Sequence, residues 1–313
     1  MSAVPFFARR HVEQAVSPER ALEAVRTAFV AHARGEWTMP PKVYVTNYPA
    51  GDFRAMPALG AGHALLKWVT SFPENPARGL PTVTGVVLLS NAETGELEAV
   101  LDAASVTALR TGAAAVLAAR ALGRADARTT SVVGAGVNGT AAAASFATHG
   151  HDVALWDVDA ERARAAAERL GVSVAPSLDE ALAADLLVTV TPGHEVLLGE
   201  GALQPGQHVS LMGADGPGKA EIAVRELARA HVFCDDWEQA SHGGELAAVV
   251  GAGLIDEGDV TRLGDVLDGT AAGRRGDDEI TAFDSTGLAI QDLAIAIAAL
   301  ARVGDLDLPT LEV

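Results

Sequence analysis

The chain has 313 residues and a formal net charge of −18, enough length for one large or two medium domains with ample core. So acidic a surface excludes nucleic acid and anionic membrane as partners, because both want a basic patch. The single cysteine, Cys234, excludes an internal disulfide and a cysteine metal cluster, and no metal site is expected. The first ten residues hold a brief apolar run with no basic region before it, so they do not read as a secretory signal. The longest apolar stretch, 288–301, is broken by Gln291-Asp292 and is too short to span a bilayer. A cytoplasmic protein is expected.

Residues 17–33 read as an amphipathic helix: Ser17 is a good N-cap, Pro18 suits the first helical position, and Leu22, Val25 and Phe29 recur at helical spacing. Segments 39–45 and 52–57 read as extended. Strand 65–69 follows, and its period-two alternation puts Leu65, Lys67 and Val69 on one face. A cation sharing a face with Leu and Val is unusual unless that face lines a cavity. Runs 82–89 and 97–101 are strands around a turn at 91–95. The first hundred residues are therefore a helix followed by a largely antiparallel sheet. Residues 105–122 form a helix with Arg110, Thr111 and Gly112 near its start.

From Thr130 short apolar runs alternate with helical segments: 130–133, 153–156, 172–174, 178–184, 186–190, 208–212, 222–230 and 232–234. This alternation predicts a parallel sheet with helices on its faces. Gly134-Ala-Gly136-Val137-Asn138-Gly139 fits G-x-G-x-x-G between a strand and a helix, and Asp157 lies 18 residues past Gly139 at the end of the next strand. The glycines suit a tight turn, close approach to a pyrophosphate and close packing of helix on strand; the acid suits a ribose hydroxyl. Asp157, with Val158 and Asp159 beside it, favours NAD over NADP, since a 2′-phosphate would be repelled there. Gly213, Ala214 and Asp215 follow directly on an apolar run and form a loop at a strand's carboxyl end, where ligands bind in such sheets. Residues 237–253 read as mostly helical, 281–287 as a strand and turn, and 288–302 as a last buried helix. The fold class expected is α/β: a Rossmann domain, 123–279, inserted into an α+β substrate-binding and dimerisation domain, 1–122 plus 280–313.

Of 23 basic residues only three are lysines: Lys42, Lys67 and Lys219. Lysine can lose its proton when buried and arginine cannot, so each lysine is a candidate for chemistry. Lys67, Lys42, Arg54 and Arg110 before the glycine loop, and Asp215 after it, suit a small carboxylate whose α-carbon exchanges a hydride. The carboxylate needs guanidinium or ammonium partners. The amine or imine needs an acid/base group with a shifted pKa.

These residues carry a resemblance. Met39-Pro-Pro-Lys42, Arg54-Ala-Met-Pro57, Leu66-Lys-Trp68, Leu109-Arg-Thr-Gly112, Gly213-Ala-Asp-Gly-Pro-Gly-Lys219 and Phe283-Asp-Ser-Thr-Gly287 are similar to the ornithine cyclodeaminase/mu-crystallin family over nearly the whole chain. Within it the chain is most similar to the archaeal-type alanine dehydrogenases. The resemblance implies a homodimer and a nicotinamide enzyme. Its substrate would be a small amino acid or 2-oxo acid, L-alanine and pyruvate in the first place. It implies Lys67 as acid/base with Asp215 as its partner, and Lys42 and Arg54 as substrate clamps. It places Arg110, Thr111, Gly134, Gly136, Val137, Asn138, Asp157, Val158, Asp159, Gly213, Ala214 and Ser285 along NAD. Cyclodeaminases carry a glutamate where Arg54 stands, and a cation there would repel a distal ammonium. A cyclodeaminase, a ketimine reductase and a non-catalytic NAD(P)-binding protein remain the alternatives.

Overall fold

The computed structural model describes residues 3–193, 195–214, 216 and 218–313. The chain divides into two compact units, residues 1–110 with 288–313, and residues 111–287.

The first unit opens with β1 (Ala3–Phe7), α1 (Arg9–Ala15) and α2 (Pro18–Ala33). Ser17 caps α2, its hydroxyl accepting the Arg20 N–H at 3.4 Å, and Val25, Ala28 and Phe29 are buried. A meander follows: β2 (Val43–Asn47), β3 (Gly51–Gly60), β4 (His63–Ser71), β5 (Val83–Asn91) and β6 (Leu97–Asp102). Neighbours pair antiparallel from β2 to β6, and β1 adds to β6 in parallel. Register puts Lys67 between Met56 on β3 and Val87 on β5. As the alternation requires, Leu65, Lys67 and Val69 are buried on one face, while Leu66 and Trp68 on the other are partly exposed.

Helix α3 (Ala103–Leu122) begins in the first unit, and the second unit starts at Thr111. There follow β7 (Thr130–Val133), α4 (Val137–Thr148), β8 (Val153–Trp156), α5 (Ala160–Leu170), β9 (Ser173–Val174), α6 (Leu178–Leu182), β10 (Leu186–Thr189) and β11 (His208–Leu211). Next come α7 (Val224–Leu227), β12 (His231–Cys234), α8 (Trp237–Gly243), α9 (Leu246–Gly251), β13 (Thr261–Arg262), α10 (Leu263–Asp268) and β14 (Thr281–Asp284). The eight strands are all parallel, in the order β9-β8-β7-β10-β11-β14-β12-β13. This is a Rossmann-type sheet whose strand order reverses between β7 and β10, the place where such sheets open toward a ligand. Val133, Leu187, Val209 and Leu211 pack with Ile222, Leu246 and Val249 in its core.

Two expected helices are corrected. Residues 222–230 are helical only over α7, because Ile222 is drawn into a bridge with Leu198. Residues 237–253 form two helices, α8 and α9, since Gly244 is extended and ends the first.

The chain closes the first unit with α11 (Ala289–Leu300) and β15 (Thr310–Glu312). Helix α11 packs on α2 and on β3, β4 and β5, and β15 pairs antiparallel with β1. Its side chains from Ala289 to Ala296 are all buried. Among the described residues no helix is long and apolar enough to cross a membrane, and no group of His, Cys, Asp and Glu could hold a metal ion.

Candidate functional site

The buried face of the first unit carries charge where a sheet face normally carries only apolar side chains. Lys67 is 2 % exposed and Arg54 7 %. They sit on adjacent antiparallel strands and share this face. Asp292 is fully buried on α11, the helix packed over β3, β4 and β5. Its Oδ2 accepts from Lys67 Nζ at 2.7 Å, and Lys67 also donates to Thr107 Oγ1 at 3.2 Å. Arg110 Nε lies 3.7 Å from the other oxygen of Asp292, an ion pair too long for a hydrogen bond. Asp52 pairs with Arg54, whose Nε donates to Oδ1 at 2.6 Å. Removing one partner of a buried pair such as Lys67–Asp292 leaves an uncompensated charge at a cost of ~3–5 kcal/mol.

These surroundings tune the lysine. Burial lowers the Lys67 pKa from 10.5 to about 8; Asp292 opposes the shift, and Arg110 and Arg54 add to it. Lys67 therefore exchanges a proton near neutral pH, which an exposed lysine does not. Lys42, half-buried, stands immediately before β2.

The second unit builds a different cradle. Gly134 has φ +107° and a Cβ there would lie 2.5 Å from the Val190 carbonyl, so the turn after β7 admits only glycine. At Gly139 a Cβ would meet the Gly134 carbonyl at 1.7 Å, which forces α4 close against β7. Gly136 is the opposite: nothing lies within 4 Å of its missing Cβ, and no side chain caps α4 there. The helix start is thus left with open space and, among the described residues, no side chain on its N–H groups, the arrangement that receives a phosphate. Val137 is 56 % exposed and Val158 88 %, two apolar surfaces beside the loop. Asn138 is half-buried. Asp157, 8 % exposed, accepts the Ala135 N–H at 2.7 Å and the Asp159 N–H at 2.8 Å. Asp159 caps α5 by accepting the Arg162 N–H at 3.1 Å, and Arg162 Nη1 lies 3.6 Å from Asp157. A dinucleotide fits these residues: a spacious glycine, a bare helix start and an acid at the end of the next strand.

Buried carboxylates that the sequence did not single out hold the strand ends. Glu221 accepts from the Thr189 hydroxyl (2.7 Å), the Thr191 N–H (2.8 Å) and hydroxyl (2.6 Å), and the Gly213 N–H (2.9 Å). It ties the loop after β10 to the loop after β11, and Ala214 beside it is fully buried. Asp235 accepts from the Ser285 and Thr286 hydroxyls and from the Gly287 N–H at 2.7 Å, fixing the turn after β14. Glu245 accepts the Glu221 N–H at 2.7 Å; burial, then the nearby Asp284, pushes its pKa up to about 9, so it is protonated at neutral pH. Thr111 is buried. Asp215 lies outside the described residues. Among those described, the carboxylate that meets Lys67 is Asp292. Its signal was the interruption Gln291-Asp292 in an otherwise apolar helix, a buried acid that calls for a cation.

A model of the ornithine cyclodeaminase/mu-crystallin family matches residues 5–304. The chain belongs to that family. It is 42 % identical over 301 residues to the alanine dehydrogenase of Archaeoglobus fulgidus, covering 92 % of this chain and 91 % of that one. Its fold superposes on an archaeal alanine dehydrogenase dimer solved with bound NAD at a TM-score of 0.93, with 38 % identity and 99 % of each chain covered. It superposes on the iminosuccinate reductase of Paracoccus denitrificans in complex with NAD+ at 0.89, with 29 % identity and each chain covered in full. Members of this one family therefore differ in substrate while sharing the fold.

Proposed function

We propose that the protein is an NAD-dependent oxidoreductase that interconverts L-alanine, or a similar small L-amino acid, with pyruvate and ammonia. The observation that carries this reading is the buried Lys67, held near a pKa of about 8 on a face that also bears Arg54 and Arg110. A proton-exchanging amine among guanidinium groups suits an α-amino carboxylate: arginine takes the carboxylate and the lysine handles the amine proton. The identity to the Archaeoglobus enzyme, over nearly the full length of both chains, supports L-alanine as the first substrate to test.

Bound NAD supplies the acceptor for the hydride that leaves Cα. Gly136, Val137 and Asn138 at the start of α4 would hold its pyrophosphate, and Asp157 a ribose hydroxyl. Arg54, Lys42 and Arg110 would orient the substrate carboxylate. Lys67 in its neutral form takes the amine proton, so that the nitrogen lone pair can form the iminium as hydride departs. Having released that proton to solvent, it takes a proton from the water that adds to Cα and returns one to the leaving amine. The balance is alanine, water and NAD+ giving pyruvate, ammonium, NADH and one proton. The family resemblance implies Asp215 as the partner of Lys67 beside the nicotinamide. The resemblance also implies a homodimer, and an exposed apolar sheet face in the first unit supports one. Val43, Val45, Leu66, Trp68 and Val86 share this face, and each is more than a third exposed in the single chain.

The experiment is a panel of L-amino acids and cyclic imines assayed with NAD(H) and NADP(H) in parallel. Alanine is expected to give the highest kcat/KM with NAD. A preference for ornithine, lysine or a cyclic imine would replace this reading with the cyclodeaminase or ketimine reductase alternative.

A further inference from the structure

Among the described residues Lys67 donates to two acceptors, and they come from two different helices. Asp292 Oδ2 on α11 takes one N–H at 2.7 Å, and Thr107 Oγ1 on α3 takes another at 3.2 Å. Three residues on from Thr107, and so on the same side of α3, Arg110 brings its Nε to 3.7 Å from Asp292 Oδ1. A threonine in a helix often turns its hydroxyl back to a carbonyl of the preceding turn. Thr27 on α2 does this, donating to the Glu23 carbonyl at 3.0 Å. Among the described residues Thr107 Oγ1 meets Lys67 instead, across a sequence separation of 40 residues. The branched side chain of threonine is stiff, so that oxygen is held in place.

Proton transfer asks for a direction as well as a suitable pKa. A neutral amine carries two N–H groups and one lone pair at the corners of a tetrahedral nitrogen. Asp292 alone fixes one corner, and the lone pair can still turn between the other two. Once Thr107 takes the second N–H, the lone pair has one direction left. Both acceptors are kept when the nitrogen gains a proton, because the new N–H occupies the corner the lone pair held. The amine therefore need not turn between taking a proton and giving it back. We infer that Thr107 is a positioning residue: its hydroxyl oxygen takes one N–H of the neutral Lys67 amine and so, together with Asp292, aims the lone pair at the proton it accepts. Thr107 is uncharged and acts on direction alone, whereas Asp292 acts on direction and charge. This deepens the dehydrogenase reading above and rests on it.

The test measures L-alanine-dependent NADH formation by the wild type, Thr107→Val, which keeps the branched shape without the hydroxyl, and Thr107→Ser, which keeps the hydroxyl. Thr107→Val is expected to lower kcat about tenfold while KM for L-alanine and NADH affinity stay within about twofold, the split of a misaimed group rather than a lost binding contact. Thr107→Ser is expected to recover most of that loss. The pH profile separates aiming from packing. Burial is the largest influence on the Lys67 pKa, with Asp292 opposing it and Arg110 and Arg54 adding to it. Removing a neutral hydroxyl leaves these in place, so the limb near 8 is expected to stay within about half a pH unit of the wild type. A limb displaced toward 10.5 would mean that Thr107 only keeps water from Lys67, and overturns the inference. Wild-type kcat in Thr107→Val overturns it too, as does a Thr107→Ser protein as slow as Thr107→Val. A second measurement needs only the wild type: neutron diffraction from crystals in heavy water, held above the limb so that Lys67 is neutral. Deuterium atoms on Nζ aimed at Asp292 Oδ2 and at Thr107 Oγ1 support the inference, and one aimed elsewhere overturns it. If the wild type does not turn over L-alanine, the dehydrogenase reading fails, and the neutron map still decides whether Thr107 orients Lys67.

Discussion

Lys67 Nζ donates to Asp292 Oδ2 at 2.7 Å across a sequence separation of 225 residues. The two groups are buried together, and their effects on the lysine pKa oppose one another. Burial drives the value down to about 8, and the charge and hydrogen bond of Asp292 drive it up. The proposed deamination would use the neutral amine, so its rate is expected to rise with pH through a limb near 8. In Asp292→Asn the opposing carboxylate charge is gone, and the limb is expected to move down by about one pH unit, the effect of ~1.4 kcal/mol. A pH–kcat/KM profile of the two proteins checks this. The stability linkage has its own sign. Between about 8 and 10.5 the unfolded chain holds the lysine proton and the folded chain does not, so this group adds stability as pH rises through that window.

Asp157 spends one oxygen on the Ala135 N–H and the other on the Asp159 N–H, with Arg162 3.6 Å away. It therefore shapes the glycine loop as well as offering an acceptor to a ribose. Asp157→Ser is expected to weaken NAD binding about tenfold, or ~1.4 kcal/mol. It is also expected to improve NADP relative to NAD, because Arg162 would then meet the 2′-phosphate without a competing carboxylate. Dissociation constants for NADH and NADPH, read by fluorescence, check both directions.

Trp68 stacks on Phe53 with ring centroids 5.7 Å apart, on a sheet face that remains exposed in the single chain. If a second copy covers that face, Trp68→Asp buries an unpaired carboxylate in the interface. The expected cost is ~3–5 kcal/mol, enough to dissociate the dimer about a hundredfold or more. Sedimentation of the wild type and the variant at matched concentrations reads the change.

Much of this architecture was legible in the sequence, and for identifiable reasons. The Rossmann unit declared itself because its strands are short apolar runs ending in glycine loops, and Gly134 and Gly139 stand where no other residue fits. Lys67 was legible because period-two alternation put a cation on an apolar face. Less was legible where order comes from distant partners. Strand β1 and helix α1 were not expected, since a five-residue strand containing Pro5 is specified by pairing with β6 and β15. Asp292, 225 residues from Lys67, was read only as an interruption of an apolar helix. Glu221 was hidden for the same reason: its four donors come from Thr189, Thr191 and Gly213, three points the fold alone brings together.

The account turns on Lys67, and one measurement addresses it directly: L-alanine-dependent NADH formation by Lys67→Ala, with NADH affinity measured on the same preparation. The expected result is unchanged NADH binding with turnover reduced ~10²–10⁴-fold, the usual contribution of a general acid–base group. Wild-type turnover in a variant that still binds NADH would contradict it.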